Sequence, residues 1–309
     1  MLLITQDLPP DVMARARREH KVRELRLQGA FSPQAVLASI DGVDAILCTP
    51  TDRFDSALIA ALPASVRVIA TFSVGVEHID LEAAAARGIE IRNTPDVLTT
   101  ATAETALMLM LMAARRAGEG ERLVRGGKWT GLAPTFLLGR NVSGKVLGIF
   151  GMGRIGRALA HMARGLDMAI HYRNRRRLPP ELEAGAVYRA DDESFLGSID
   201  FLSINAPGGA ETRHWLNAAR IGLLKPGAIV VNTGRGGTVD DDALIAALQS
   251  GHVAAAGLDV FNNEPALHPG YLALENAVLL PHIGSATVET RNAMGFLALD
   301  GIAEVLRRV

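Results

Sequence analysis

The chain predicts an α/β protein built from two doubly wound, mostly parallel sheets, one domain inserted into the other. Three observations carry this. Its 309 residues, 49% of them hydrophobic, supply material for two ordinary cores. Short β-branched runs alternate with Ala-rich helical stretches, and parallel strands need a crossover longer than a hairpin. The first glycine-rich turn behind an apolar strand comes only at Gly151, so the sheet it opens begins mid-chain and the residues up to Leu98 belong to another.

Taken in order, strands are expected at 2–5, 43–49, 66–71 and 89–92, with helices near 55–62 and 81–87. A second series of six strands follows at 145–150, 168–172, 199–204, 228–232, 253–260 and 277–280. The helical pattern over 286–308 is expected to return to the first domain, giving domains of 1–98 with 286–309 and of 99–285. The helix at about 100–116 and the passage after His282 then connect them, and a cleft between domains is where a ligand is expected. The stretch 126–142, with Trp129, Pro134 and Phe136, reads as a long loop that could reach a neighbouring subunit.

Composition removes several function classes. Lys and Arg number 32 against 33 Asp and Glu, so neither a nucleic-acid footprint nor a polybasic membrane surface is expected, and the partner should be a small molecule. The longest apolar segment, 105–114, lies between Glu104 and Arg115-Arg116 and falls short of the ~20 residues of a membrane span. It reads as a buried helix with Met108, Met110 and Met112 as core filling. Cys48 is the single cysteine and sits in an apolar run, which makes it a core thiol and points to a reducing compartment. The first residues, lacking a basic start and a long apolar stretch, agree with the cytoplasm. No metal-ligand cluster is expected.

Gly151-Met152-Gly153-Arg154-Ile155-Gly156 follows an apolar strand and opens a helical stretch, the context in which G-x-G-x-x-G marks a Rossmann dinucleotide loop. Gly151 permits the tight turn, Gly153 lets a pyrophosphate approach the backbone, and Gly156 allows close packing. The amides of Arg154 and Ile155 then face the anion. An NAD site of this kind carries an acid about 20 residues on, for the ribose 2′-hydroxyl. Here the run is His171-Tyr172-Arg173-Asn174-Arg175-Arg176-Arg177, whose guanidinium groups suit a 2′-phosphate, so NADPH is expected over NADH. Arg173 or Asn174 occupies the usual acidic place, depending on a one-residue shift, and Arg175 is the next candidate.

Three late signatures, Val231-Asn232-Thr233-Gly234-Arg235-Gly236, Leu258-Asp259-Val260-Phe261-Asn262-Asn263-Glu264-Pro265 and Leu280-Pro281-His282-Ile283-Gly284-Ser285, follow successive expected strands. They supply an arginine, a carboxylate and an imidazole. Reduction of a 2-keto acid asks for such a set: a guanidinium for the substrate carboxylate, an acid for the carbonyl oxygen, and an anion that keeps the acid protonated.

With Phe72-Ser73-Val74-Gly75-Val76-Glu77-His78-Ile79-Asp80, Asn93-Thr94-Pro95, Thr102-Ala103-Glu104-Thr105 and the glycine loop, these signatures make the chain resemble the D-specific 2-hydroxyacid dehydrogenases over nearly its whole length. The glyoxylate and hydroxypyruvate reductase branch is nearest. The resemblance implies a Rossmann domain inserted into a flavodoxin-like substrate domain, and commonly a homodimer. It makes His282 the general acid/base, Glu264 its carboxylate partner and Arg235 the group that holds the 2-keto acid. It gives the amides of Ser73, Val74 and Gly75 to the substrate carboxylate, and Asp259 to the nicotinamide carboxamide. It puts Thr102, His282 and Gly284 at the nicotinamide end, with Ala206, Pro207 and Thr233 as the wall near the ribose. Glu77 is a mild departure, since the family usually has Asp there. A corepressor-like NAD(P)-sensing protein on the same fold is the alternative from another class, and the carboxylate at Glu264 argues against formate as substrate, because formate dehydrogenases usually place an amide there.

Overall fold

Leu2, Leu3 and Ile4 are buried on both faces, and a strand covered on both faces reads as a continuous apolar run. In the computed structural model, which describes residues 1–25 and 31–308, this strand is β1 (Leu2–Ile4). There follow α1 (Pro10–Glu19), β2 (Val22–Glu24), α2 (Pro33–Ala38), β3 (Ala45–Cys48), α3 (Ser56–Ala61), β4 (Val68–Thr71), α4 (Leu81–Ala86) and β5 (Glu90–Arg92). The next stretch holds α5 (Thr99–Ala114), α6 (Ala117–Arg125), β6 (Val146–Phe150), α7 (Arg154–Arg164), β7 (Ala169–Arg173), α8 (Pro180–Glu183), β8 (Val187–Tyr188) and α9 (Asp192–Leu196). It continues with β9 (Phe201–Ile204), α10 (Ala218–Gly222), β10 (Ala228–Asn232), α11 (Asp241–Ser250), β11 (Val253–Leu258) and β12 (Ala277–Leu279), and the chain closes with α12 (Val288–Arg307). Two units result, Met1–Leu98 with Ser285–Val309, and Thr99–Gly284.

In the first unit all strands run parallel in the order β2-β1-β3-β4-β5. Leu3, Ile46, Cys48 and Ile69 face a core completed by Val36, Leu58, Ile59 and Ala84 from α2, α3 and α4. On the other side Leu2, Ile4, Leu47, Val68 and Ala70 meet Val12 and Met13 of α1 and Ala298, Leu299, Ile302 and Val305 of α12. The last 20-residue helix is therefore part of a core that the first residues begin. Each large aliphatic side chain so buried contributes about 1.5–3 kcal/mol. The strand β2 and the helices α1 and α2 are additions to the expected series: Val-Arg-Glu in β2 is a half-buried edge strand, too short and polar to stand out.

The second unit is a seven-stranded parallel sheet in the order β12-β11-β10-β9-β6-β7-β8, one strand more than expected. The extra one, β8, is a two-residue edge pairing. The α/β class with two parallel sheets agrees with the sequence expectation. The expected core helix corresponds to α5, in which Met110 is buried, but Met108 is 40% exposed. The continuously apolar helix thus carries an open face, which corrects the reading of Met108 as core. Between Arg125 and Val146 no helix or strand forms among the described residues. Cys48 is fully buried, and burial pushes its thiol well above the ordinary range. No described helix is long and apolar enough to cross a membrane.

Candidate active site

The glycine loop lies between β6 and α7, at the carboxyl end of the parallel strands, where Phe150 pairs with Arg173 of β7 on one side and Ile204 of β9 on the other. Gly151 has φ +92°, and a Cβ there would stand 2.5 Å from the Ala206 nitrogen, so only glycine serves. A Cβ on Gly156 would come within 2.7 Å of the Gly151 carbonyl oxygen, whereas one on Gly153 would meet nothing within 4 Å. The open side of the loop is therefore at Gly153. There α7 begins on Gly153 and, like α1, α6 and α8, has no capping side chain, whereas α3, α4, α9, α10, α11 and α12 start on Asp, Asn or Thr caps. The first-turn amides of α7, at Arg154 and Ile155, are the donors an anion would take. This cradle fits the pyrophosphate of a dinucleotide.

Just beyond β7, the Asn174 Oδ1 accepts the Met152 N–H at 2.7 Å, which ties this position to the glycine loop. Arg173 turns aside: its Nε donates to Asp192 Oδ1 at 3.2 Å and its Nη1 to the Asn174 carbonyl at 2.5 Å. Arg175 stands 84% exposed, paired with Glu211 at 2.9 Å. The base of the loop after β9 holds Ala206, buried against Gly151, and Pro207, whose carbonyl accepts the Thr212 hydroxyl at 2.8 Å. The Thr233 hydroxyl donates to Asn205 Oδ1 at 3.3 Å, so the ends of β9 and β10 are bridged.

Glu264 and His282 meet directly, His282 Nδ1 lying 2.6 Å from Glu264 Oε2. The Phe261 N–H holds the other carboxylate oxygen at 2.8 Å, which aims the carboxylate at the ring. The hydrogen bond to Glu264 raises the imidazole above its ordinary value, against the effect of burial. Burial pushes Glu264 up, but the bonds from His282 and Phe261 outweigh it and hold the carboxyl below the usual range. Both side chains keep a solvent face, at 50% for His282 and 32% for Glu264.

Arg235 is near enough for its charge to bear on both partners, favouring the Glu264 carboxylate and opposing protonation of His282. Its loop is shaped by Asn232, whose Nδ2 donates to the Arg235 carbonyl at 3.0 Å and whose Oδ1 accepts the Gly234 N–H at 3.0 Å. A Cβ at Gly236 would fall 1.9 Å from the Phe261 carbonyl carbon, so this glycine lets the arginine loop press against the segment leading to Glu264. Asn232 and Gly236 stand within the late sequence signatures, but their part in shaping the arginine loop shows only in the structure.

Asp259 is 1% exposed, and its two oxygens accept the Ile283 and Gly284 N–H groups at 2.7 and 2.8 Å. Burial lifts its pKa despite these bonds. The carboxylate expected to face the nicotinamide thus also pins the turn that carries His282, a residue held at φ +53°. Thr102, in the first turn of α5, lies beside Gly284, whose carbonyl accepts the Thr105 hydroxyl at 3.4 Å.

Ser73, Val74 and Gly75 belong to the first unit. The carbonyls of this turn are taken from within: Thr94 N–H donates to Ser73 at 2.8 Å, Asn93 Nδ2 to Val74 at 2.8 Å, and the Ser73 hydroxyl to Gly75 at 2.6 Å. The Thr71 hydroxyl links Ser73 and His78, at 2.8 and 2.9 Å.

Comparison with known proteins agrees with this architecture. Residues 107–284 match the family model described as D-isomer specific 2-hydroxyacid dehydrogenase, NAD binding domain. The chain is 42% identical to a glycerate dehydrogenase of Hyphomicrobium methylovorum, covering 97% of this chain and 94% of the relative. A crystal structure from Polaromonas sp. JS6 66, assigned to the D-isomer specific 2-hydroxyacid dehydrogenases, superposes with a TM-score of 0.95 at 45% identity, covering 99% and 96% of the two chains. An NADPH-dependent glyoxylate/hydroxypyruvate reductase from Sinorhizobium meliloti, solved with NADP and malonate, superposes with a TM-score of 0.87 at 34% identity, covering 99% and 93%. Sequence match, sheet order and the uncapped glycine loop converge on one conclusion: the chain belongs to the D-isomer specific 2-hydroxyacid dehydrogenase family of oxidoreductases.

Proposed function

We propose that this enzyme reduces small 2-keto acids of the glyoxylate and hydroxypyruvate type to D-2-hydroxy acids, preferring NADPH, with His282 as general acid/base. The observation that carries the reading is the 2.6 Å contact of His282 with Glu264, within reach of the charge on Arg235. Glu264 accepts from Nδ1, which leaves Nε2 as the proton donor toward a carbonyl oxygen. Arg235 offers parallel donors to the substrate carboxylate and carbonyl. NADPH, when bound, supplies the hydride. His282 delivers the proton that balances it, and regains one from solvent through its exposed face. Gly153 and the Arg154 and Ile155 amides hold the pyrophosphate, and Thr102, Ala206, Pro207, Thr233, Asp259 and Gly284 are the proposed contacts of the nicotinamide half. The amides of Ser73, Val74 and Gly75 are the proposed backbone donors to the substrate carboxylate.

Support for NADPH comes from the basic run after β7 and from the Sinorhizobium relative, whose name states that dependence. An NAD(P)-sensing corepressor role is not favoured, because sensing a dinucleotide needs no imidazole charged by a carboxylate. The buried lone thiol fits a cytoplasmic setting. The test is a panel of 2-keto acids assayed with NADPH and NADH in parallel, with the product's chirality determined. Glyoxylate and hydroxypyruvate reduced faster with NADPH, and D-glycerate from hydroxypyruvate, are the expected results. Faster turnover with NADH, or an L-product, overturns the proposal.

A further inference from the structure

Arg173, at the end of β7, and Arg175 and Arg177 just beyond it are not equivalent, and from their partners we infer that Glu211 is a specificity-determining residue. It competes with the 2′-phosphate of NADPH for Arg175 and so holds the cofactor preference below what the basic run alone would give. The inference rests on the proposed NADPH reading.

Arg173 and Arg177 are committed to the fold. Arg173 is bonded to Asp192, which also takes Arg220 Nε at 2.6 Å. Arg177 grips Glu183 through Nε and Nη2 at 2.8 and 3.1 Å. Glu183 is only 6% exposed and accepts the hydroxyl of the fully buried Tyr172 at 2.6 Å, and that hydroxyl in turn accepts the Leu178 N–H at 2.9 Å. Withdrawing Arg177 toward a ligand would strand a buried carboxylate, a severe cost. The network instead fixes the chain on either side of Arg175 and Arg176, with Asn174 anchored to the glycine loop.

Arg175 is different in kind. Its guanidinium and the Glu211 carboxylate form an ion pair at 2.9 Å in which both side chains are mostly exposed, at 84% and 71%. The pair is easily broken, being of the class that contributes little to stability. Glu211 is carried by the loop after β9, the strand beside β6, and the Thr212 hydroxyl closes that loop onto Pro207 at 2.8 Å and Gly209 at 3.3 Å. Asn174–Arg177 and Glu211 therefore flank the glycine loop from its two sides. A 2′-phosphate carries about −1.5 to −2 charges at neutral pH. To reach Arg175 it must displace Glu211 or lie beside it as a like charge. A 2′-hydroxyl meets no such opposition and can donate to the same carboxylate.

The test uses the full-length protein and equilibrium titration calorimetry with NADP+ and NAD+. Glu211→Gln is expected to tighten NADP+ about twofold to fivefold, the size of one exposed ion pair, with NAD+ unchanged or slightly weaker. Arg175→Gln should weaken NADP+ selectively and abolish the gain from Glu211→Gln in the double variant. Glu289→Gln, which removes the same charge from the first unit, should alter neither ligand. Arg177→Gln should leave the NADP+ to NAD+ ratio unchanged. The inference is overturned if Glu211→Gln leaves NADP+ unaltered, tightens both ligands equally, or acts equally without Arg175. If Arg175→Gln is selective while Glu211→Gln is silent, only this inference falls. If the unaltered protein binds NAD+ the more tightly and Arg175→Gln affects neither ligand, the NADPH reading falls with it.

Discussion

His282 lies on a turn whose two following amides are both held by one buried carboxylate, Asp259, while its own ring is held by a second, Glu264. Position and proton affinity are thus set by different acids. Because the Glu264 bond raises the imidazole pKa, keto-acid reduction, which needs the protonated ring, should be level at low pH and decline as pH rises through the raised value. Glu264→Gln removes the main cause of that rise, so the decline should begin at lower pH; in the oxidation direction the limb is inverted, the rate growing with pH. His282→Ala should reduce turnover about 10²- to 10⁴-fold with little change in dinucleotide affinity. Initial-rate pH profiles of the two variants check both statements, and an unmoved limb in Glu264→Gln would refute the pairing.

Among the elements, α12 ties the end of the chain to its start. Leu299 is fully buried with Leu2, Ile4, Leu47 and Val68, and truncating such a leucine costs about 2–5 kcal/mol. Leu299→Ala should therefore lower the unfolding free energy measured by urea titration by that amount while leaving NADP+ affinity within about twofold, since the dinucleotide unit has its own cores. A loss of unfolding free energy under about 1 kcal/mol would mean that α12 is less essential to the first unit than its packing indicates. The helix after the glycine loop differs: α7 starts on Gly153 with no capping side chain, a few tenths of a kcal/mol less stable than a start on Ser, Thr, Asp or Asn, in the place where an anion is proposed to bind.

For the whole molecule, seven of the fifteen large apolar side chains exposed among the described residues fall in and after α5: Met108, Leu111, Val124, Trp129, Leu132, Phe136 and Leu138, with Leu132 at 89%. Exposed apolar side chains of this kind suit a protein partner, and a second copy of the chain is expected to cover them. Sedimentation velocity should give twice the 32.8 kDa chain mass, and Leu132→Asp with Phe136→Asp should halve it. A monomer at micromolar concentration for the unaltered chain would count against the dimer.

The sequence by itself determined the α/β class, most strands, the glycine loop and the catalytic candidates. Strands buried on both faces read as nearly continuous apolar runs, as β3 does and as β4 and β10 do up to their final Thr71 and Asn232, and a tight phosphate turn must contain glycine. It did not mark β2 and β8, because short edge strands carry no such constraint. Nor could it rank the arginines from 173 to 177. Only the tertiary structure decided that Arg173 goes to Asp192, Arg177 to Glu183 and Arg175 to Glu211, the last 36 residues away in the chain. Backbone conformation and burial leave periodic traces in local sequence, whereas charge pairing depends on which loops the sheet order brings to one edge.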